Sequence, residues 1–304
     1  MANLKAIRKR IVSVKSTQKI TRAMKMVAGA RLHRAQQRIS AMRPYAKQAS
    51  QVLGEVVRAL GPAGLEVELP LLAHRPEKQI LVLVITSDRG LCGAFNTNIN
   101  KAAESFWRSK EAAGVGVKIA TIGRRGRDYF RRRSAPMFEA FEGVWDSLDL
   151  TQARRIARSI LAPFLRGEVD AIYLVYNEFK SAMTQQVVTL RLLPLEHLGE
   201  ASEDPTAARD DAHASEPTPE YIFEPNQAAI FEQLVPIYIE ITLLRALYDS
   251  VASELGARMT AMDSATKNAK DMISKLTLDY NRQRQAVITT ELIEIIAGSE
   301  ALQT

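Results

Sequence analysis

The run QILVLVIT (79–86) leads directly into SDRGLCGA (87–94). A glycine-bearing turn between a strand and a helix is where backbone N–H groups can cradle a phosphate. The segment lacks the G-x-x-x-x-G-K-[ST] pattern, and the spacing of Gly90 and Gly93 does not make G-x-G-x-x-G. It reads instead as a tight strand-to-helix turn. Cys92 is the chain's single cysteine and has no histidine within sequence reach to activate it, so it reads as a small buried residue. The four histidines, His33, His74, His197 and His213, are scattered without ligand spacing. No Ser-His-Asp set and no carboxylate pair stands out. These residues predict no catalytic group, no metal and no cofactor.

Charge is the stronger signal. The first fifty residues hold thirteen lysines and arginines and no acid, from Lys5 and Arg8 to Arg43 and Lys47. The whole chain carries +7, so the remaining 254 residues sum to −6. A basic arm on a mildly acidic body points to an acidic partner. Three readings of the arm stand open: a solvated face, a nucleic-acid surface, and the complement of an acidic protein. Interleaved aromatic residues would favour nucleic acid, and only Tyr45 is present. The third reading is slightly favoured. No run of about eighteen apolar residues exists to span a membrane. The basic start lacks the apolar core and cleavage site of a signal peptide, and is expected to be mature protein. One cysteine argues against an oxidising compartment.

The elements that carry these residues fall into three stretches. Residues 1–60 predict a long helix, with Leu4, Ile7, Ile11 and Val14 as its apolar seam. The seam is expected to slip phase through Ile20, Met24 and Val27, with local unwinding near 16–20 and a kink at Pro44. Gly61-Pro62-Ala63-Gly64 is expected to end it. Residues 61–224 alternate strands (79–86, 117–123, 171–179, 185–193) with helices (97–112, a short basic one in RRGRDYFRRR, and 150–167). That alternation predicts a Rossmann-like α/β domain with a largely parallel sheet. Within it, 199–220 is acidic, proline-bearing and poor in apolar residues, the composition of a flexible loop. Residues 225–304 predict a second long helix ending near Ala297, before Gly298. Its seam, Leu255, Met259, Met262, Thr266, Ala269, Ile273, Leu276, Tyr280, Gln283 and Val287, alternates fours and threes as a coiled coil does.

At 1.5 Å per residue these helices are roughly 80 and 110 Å long, too long for a domain of this size, with seams too narrow to cover a sheet. They are expected to pair with each other, antiparallel, because both leave the same domain. The C-terminal helix should overshoot by roughly 25 Å. That tip, AVITTELIEIIAGSEAL (286–302), carries apolar residues around much of its circumference and implies a partner that surrounds it.

Four blocks, IRKRIVSVKSTQKITRAMKMVAGARL (7–32), TSDRGLCGAFN (86–96), YIFEP (221–225) and RQRQAVITTELIEIIAG (282–298), resemble the gamma-subunit family of F-type ATP synthases in order and over nearly the whole chain. The resemblance implies a non-catalytic rotor shaft. Its antiparallel coil would pass through a hexamer of three alpha and three beta subunits, and its α/β foot would sit against the epsilon subunit and the membrane c-ring. Acidic loops of the beta subunits would ride on the basic helix, through partly exposed ion pairs weak enough to let the shaft turn. Proton flow would turn the ring, and the asymmetric coil would drive the beta sites through their states. The resemblance places Met24, Lys25 and Arg258 at the acidic loops. It places Arg284, Gln285, Thr289, Glu291 and Glu294 at the upper hexamer, although Gln285 and Thr289 also suit a solvated helix surface. It implies a bacterial protein, peripheral on the cytoplasmic side of the membrane. Ala94 departs from the family's usual glycine, the 199–220 loop is longer and more acidic than usual, and the thiol-regulatory insertion of chloroplast members is absent. Two rivals remain: a basic nucleic-acid scaffold, whose binding would fall steeply with salt, and a small α/β enzyme, whose residues 78–195 would bind nucleotide.

Overall fold

The computed structural model describes residues 2–64, 75–145, 147–195 and 227–301. Two long helices, α1 (Ala2–Gly64) and α5 (Gln227–Ala301), enclose an α/β domain in sequence. Between them come β1 (Gln79–Ile85), α2 (Phe95–Ala112), β2 (Gly116–Ile122), α3 (Arg124–Arg131), β3 (Met137–Phe141), α4 (Leu150–Leu165), β4 (Ala171–Phe179) and β5 (Gln185–Leu193). The acidic 199–220 segment and the YIFEP block lie outside the described residues.

The five strands lie in the order β3-β2-β1-β4-β5. The pairs β1–β2, β1–β4 and β2–β3 are parallel and β4–β5 is antiparallel. The expected largely parallel sheet is found. β3 is an addition to the expected strands: MFEAF is short, follows an arginine run and Pro136, and shows little alternation.

The uninterrupted apolar run of β1 has a simple cause. Leu81, Leu83 and Ile85 face α4 and α5, packing with Ile156, Ile160, Phe164, Ile239 and Leu243. Ile80, Val82 and Val84 face α2 and α3, packing with Phe95, Ile99, Trp107 and Phe130. A central strand covered on both faces needs no polar side. Asp149 caps α4 by accepting from the Gln152 backbone N–H at 2.9 Å.

α1 and α5 pair antiparallel. Thr21 faces Thr266, Lys25 faces Asp263 and Gly29 faces Met259. The residue numbers of each facing pair add to 287 or 288, a constant that sets Ala2 opposite residue 285 or 286. The last fifteen or so described residues of α5 therefore extend beyond α1, roughly 22 Å at helical rise, close to the expected overshoot.

Two expectations are corrected. The α1 seam does not slip, and the helix does not unwind near 16–20. It continues from Leu4, Ile7, Ile11 and Val14 through Gln18, Thr21, Ala28, Leu32 and Ala35, all buried or half-buried, while Ile20 and Val27 are more than half exposed. Counting half-buried Lys25 between Thr21 and Ala28, the alternation of threes and fours is kept, but small and polar residues occupy it. Thr21 is tolerated there because its hydroxyl pairs with that of Thr266 at 2.8 Å. The helix ends are also later than expected: α1 runs through Pro44, Gly61 and Pro62 to Gly64, and α5 through Gly298 to Ala301. On α5 every expected seam residue from Leu255 to Val287 is buried or half-buried.

Candidate interaction surface

α1 carries no acidic residue before Glu55, so its cations have no neutralising neighbours on their own helix. Across the seam Asp263 offers one to Lys25, and the Glu254 carboxyl feels the charge of Arg31. Lys25 reaches Asp263 at 2.6 Å, and among the described residues this is the only ion pair made by a cation of α1. Lys5, Arg8, Lys15, Lys19, Arg22 and Arg34 are exposed. Between them lie Val12, Ile20, Met26 and Val27, each more than half exposed. The outward face of α1 is thus basic with apolar residues interspersed, the composition of a binding surface rather than of a solvated one.

The sequence-predicted site residues fall into three groups. Met24 and Lys25 sit half-buried on the shoulder of the seam. Lys25's hydrogen bond, followed by that of Lys267 at 2.9 Å, holds the Asp263 carboxyl below the usual aspartate range. Arg258 is separate from them and turned inward. Its Nη2 donates to the Gly90 carbonyl at 3.1 Å and lies 2.5 Å from Glu254 one turn back. Burial pushes the Glu254 carboxyl up, opposed by Arg258 and then Arg31.

The third group is toward the end of α5, where Arg284 and Gln285, level with the start of α1, and Thr289, Glu291 and Glu294, on the overshooting tip, are all exposed. The structure does not gather them into one cluster. Gln285, Thr289, Leu292 and Ile296 follow helical spacing along one side, and Arg284, Glu291 and Glu294 lie along another. Thr289 spends its hydroxyl on the Gln285 carbonyl at 2.9 Å. Around them Ile288, Leu292, Ile293, Ile295 and Ile296 are 53–71% exposed.

Sequence reasoning missed the joint between shaft and foot. The 87–94 turn is braced by Asn96, whose Oδ1 accepts from the Ser87 N–H at 3.0 Å and whose Nδ2 donates to the Ser87 hydroxyl at 2.8 Å and the Cys92 sulfur at 3.1 Å. Arg258 fastens that turn to α5. On the other side Gly256 comes so close to the Ala182 backbone that an added Cβ would lie 3.2 Å from it, and Thr260 donates to the Ala182 carbonyl at 3.2 Å. Ser253 donates to the Asn177 carbonyl at 3.2 Å. Two short polar side chains, Ser253 and Thr260, and Gly256 on a single face of α5 were the available signal, but they name no partner until the fold brings one. Cys92 is buried as expected, and burial pushes its thiol up. Among the described residues no helix is long and apolar enough to cross a membrane.

The family model described as ATP synthase matches residues 3–302. The ATP synthase gamma chain of Sorangium cellulosum (strain So ce56) is 55% identical, and that of Geotalea uraniireducens (strain Rf4) is 46% identical, each over all of both chains. A chain in a cryo-EM structure of the Tetrahymena thermophila mitochondrial ATP synthase central stalk and c-ring superposes with a TM-score of 0.61, at 24% identity, covering 81% of this chain and 99% of that one. With a basic outer face, a paired shaft and an unaccompanied tip already evident in its structure, the chain belongs to the ATP synthase gamma chain family.

Proposed function

We propose that the chain is the central rotor shaft of a proton-translocating F-type ATP synthase, peripheral on the cytoplasmic face of a bacterial membrane. One observation carries the reading: the α5 tip leaves α1 behind as a single helix whose five large aliphatic side chains are more than half exposed. Burying such a side chain fully is worth about 1.5–3 kcal/mol, so a sleeve around the tip gains several kcal/mol. The sleeve is a hexamer of three alpha and three beta subunits. Inside it Arg284, Gln285, Thr289, Glu291 and Glu294 make the polar contacts of the upper shaft. Lower down, Met24, Lys25 and the unneutralised face of α1 meet acidic loops of the beta subunits, while Arg258 holds the α5 side of that level in place. The α/β foot sits against the epsilon subunit and the c-ring, whose rotation it receives.

The subunit needs no chemistry of its own. Its two sides differ, basic α1 on one and mixed-charge α5 on the other, so each beta subunit meets a different surface at each angle. Differential contact with the beta conformations is what couples rotation to catalysis. Exposed ion pairs worth roughly 0–1 kcal/mol each attract without locking. The test is reconstitution of the purified alpha–beta hexamer with the full chain and with a chain lacking residues 293–304. The full chain should bind and change the ATPase rate, and the truncated chain should bind more weakly. A hexamer indifferent to both would overturn the proposal.

A further inference from the structure

β3 is an outer strand of the sheet, paired with β2 alone. Its other edge meets no strand among the described residues. Such an edge offers a row of backbone N–H and C=O groups to any extended chain laid beside it. Sheets commonly blunt this hazard with charged side chains on the edge strand itself. β3, MFEAF, has only Glu139, whose carboxylate accepts from the Ser159 hydroxyl of α4.

What flanks the edge points to what it takes. Residues 124–133 hold six arginines against one acid, and α4 holds three against none. α3 and α4 lie on opposite faces of the sheet. Arg124 and Arg127 both reach Glu142, just past the end of β3, so the side of α3 that carries them is turned to the edge. Arg131 lies one turn on along that side. On the other face, the Ser159 bond to Glu139 fixes which side of α4 is turned to β3, and Arg155 lies one turn before Ser159 with Arg158 alongside. Arg131, Arg155 and Arg158 are exposed, and none of them makes an ion pair among the described residues. Unpaired positive charge thus stands on both faces of an open strand edge.

A strand added to β3 points its side chains alternately to the α3 face and the α4 face. Acidic residues on it would meet Arg131 on one face and Arg155 and Arg158 on the other, whereas a basic strand would be repelled. Pairing of two copies of this chain through β3 would set these arginines against themselves. A lipid or nucleic-acid surface would meet the arginines but leave the backbone row unpaired. We propose that the free edge of β3 takes up an extended, acidic segment of another subunit as a sixth strand. The proposal rests on the rotor reading, which supplies the assembly that holds such a segment.

Hydrogen–deuterium exchange over residues 136–142 tests this, in the free full-length chain and in the assembly recovered with a tagged copy from the host cell. The outward amides of β3 should exchange about tenfold more slowly in the assembly, the value of one added hydrogen bond at the upper end of its range. The double variant Arg131→Glu/Arg155→Glu should lose that protection, and Arg131→Lys/Arg155→Lys should keep most of it. Both pairs of changes fall on exposed side chains, so exchange in the free chain should stay as it was. An assembly in which β3 exchanges as it does in the free chain would overturn this inference alone. So would protection that survives the charge reversal, or that disappears when nuclease or detergent strips nucleic acid or lipid from the assembly. Recovery of nothing but the free chain would overturn this inference and the rotor reading together.

Discussion

The foot and the shaft are held together by opposite means. In the foot, Ile80 to Ile85 are fully buried between layers of large side chains, Phe130 and Phe164 among them. In the shaft, the buried residues include Thr21, Ala28, Ala35, Ala252 and Ala269, with Leu32, Leu255 and Met262 the larger exceptions. The foot resembles any globular core, dense and covered on both faces, with the base of α5 closing one of them. The shaft brings two backbones close on small residues and leaves most of its surface outside. The lesson is that the foot is a dense core completed by the base of α5, whereas the shaft is slender and the tip lacks a second helix altogether.

The comparison can be broken from the foot first. Phe164→Ala removes a ring buried between α4 and the sheet, and should cost about 3–5 kcal/mol in a denaturant titration. In the shaft, Gly29→Leu is the sharper test. A Cβ at position 29 already lies 3.4 Å from the Met259 sulfur, so a larger side chain must spread the helices, at about 1–3 kcal/mol. Its signature would be a loss of coil helicity with the near-ultraviolet signal of Trp107, buried in the foot, unchanged. Thr21→Val should cost less, about 1 kcal/mol, because Thr266 keeps its bond to the Met262 carbonyl at 2.7 Å.

How far these differences were legible in the sequence depends on side-chain size. The α5 seam was readable because Leu, Met and Ile mark it, and the buried strands because their apolar runs are unbroken. The α1 seam after Val14 was misread because Ile20 and Val27, the conspicuous apolar residues, face outward. Gln18, Thr21 and Ala28 hold the inner positions, and an aligned pair of threonines cannot be seen from one helix alone. Helix α1 continues through Gly61-Pro62 to Gly64 and α5 through Gly298 to Ala301, so glycine and proline did not stop either helix at those positions. Thr289, Glu291 and Glu294 lie on the overshoot, whereas Arg284 and Gln285 lie level with the start of α1. The inward turn of Arg258 toward Gly90 depends on a contact 168 positions away in the chain, which no spacing could announce.

Acid sharpens the contrast within the shaft, through two carboxylates of opposite behaviour. Asp263, held low by Lys25 and Lys267, contributes stability above the ordinary aspartate pKa that is lost as pH falls through its lowered value. Glu254, pushed up by burial at the joint, does the reverse: its contribution is present below the ordinary glutamate pKa and is lost as pH rises through the raised value. Melting curves taken between pH 3 and pH 7 should therefore flatten in opposite senses in Asp263→Asn and Glu254→Gln. The same sense in both would contradict the assignment. The smallest expected effect is at the tip. Ile295→Ser alters a side chain 71% exposed and touching no second helix, so the isolated chain should keep its stability within about 0.5 kcal/mol.

The central claim, that the unaccompanied tip exists to be enclosed, is tested most directly by native mass spectrometry of a gently solubilised, tagged copy from the host cell. The account predicts one copy of this chain in an assembly with three copies each of two larger nucleotide-bearing subunits. Recovery as a free chain, or as a homo-oligomer carrying nucleic acid, would contradict it.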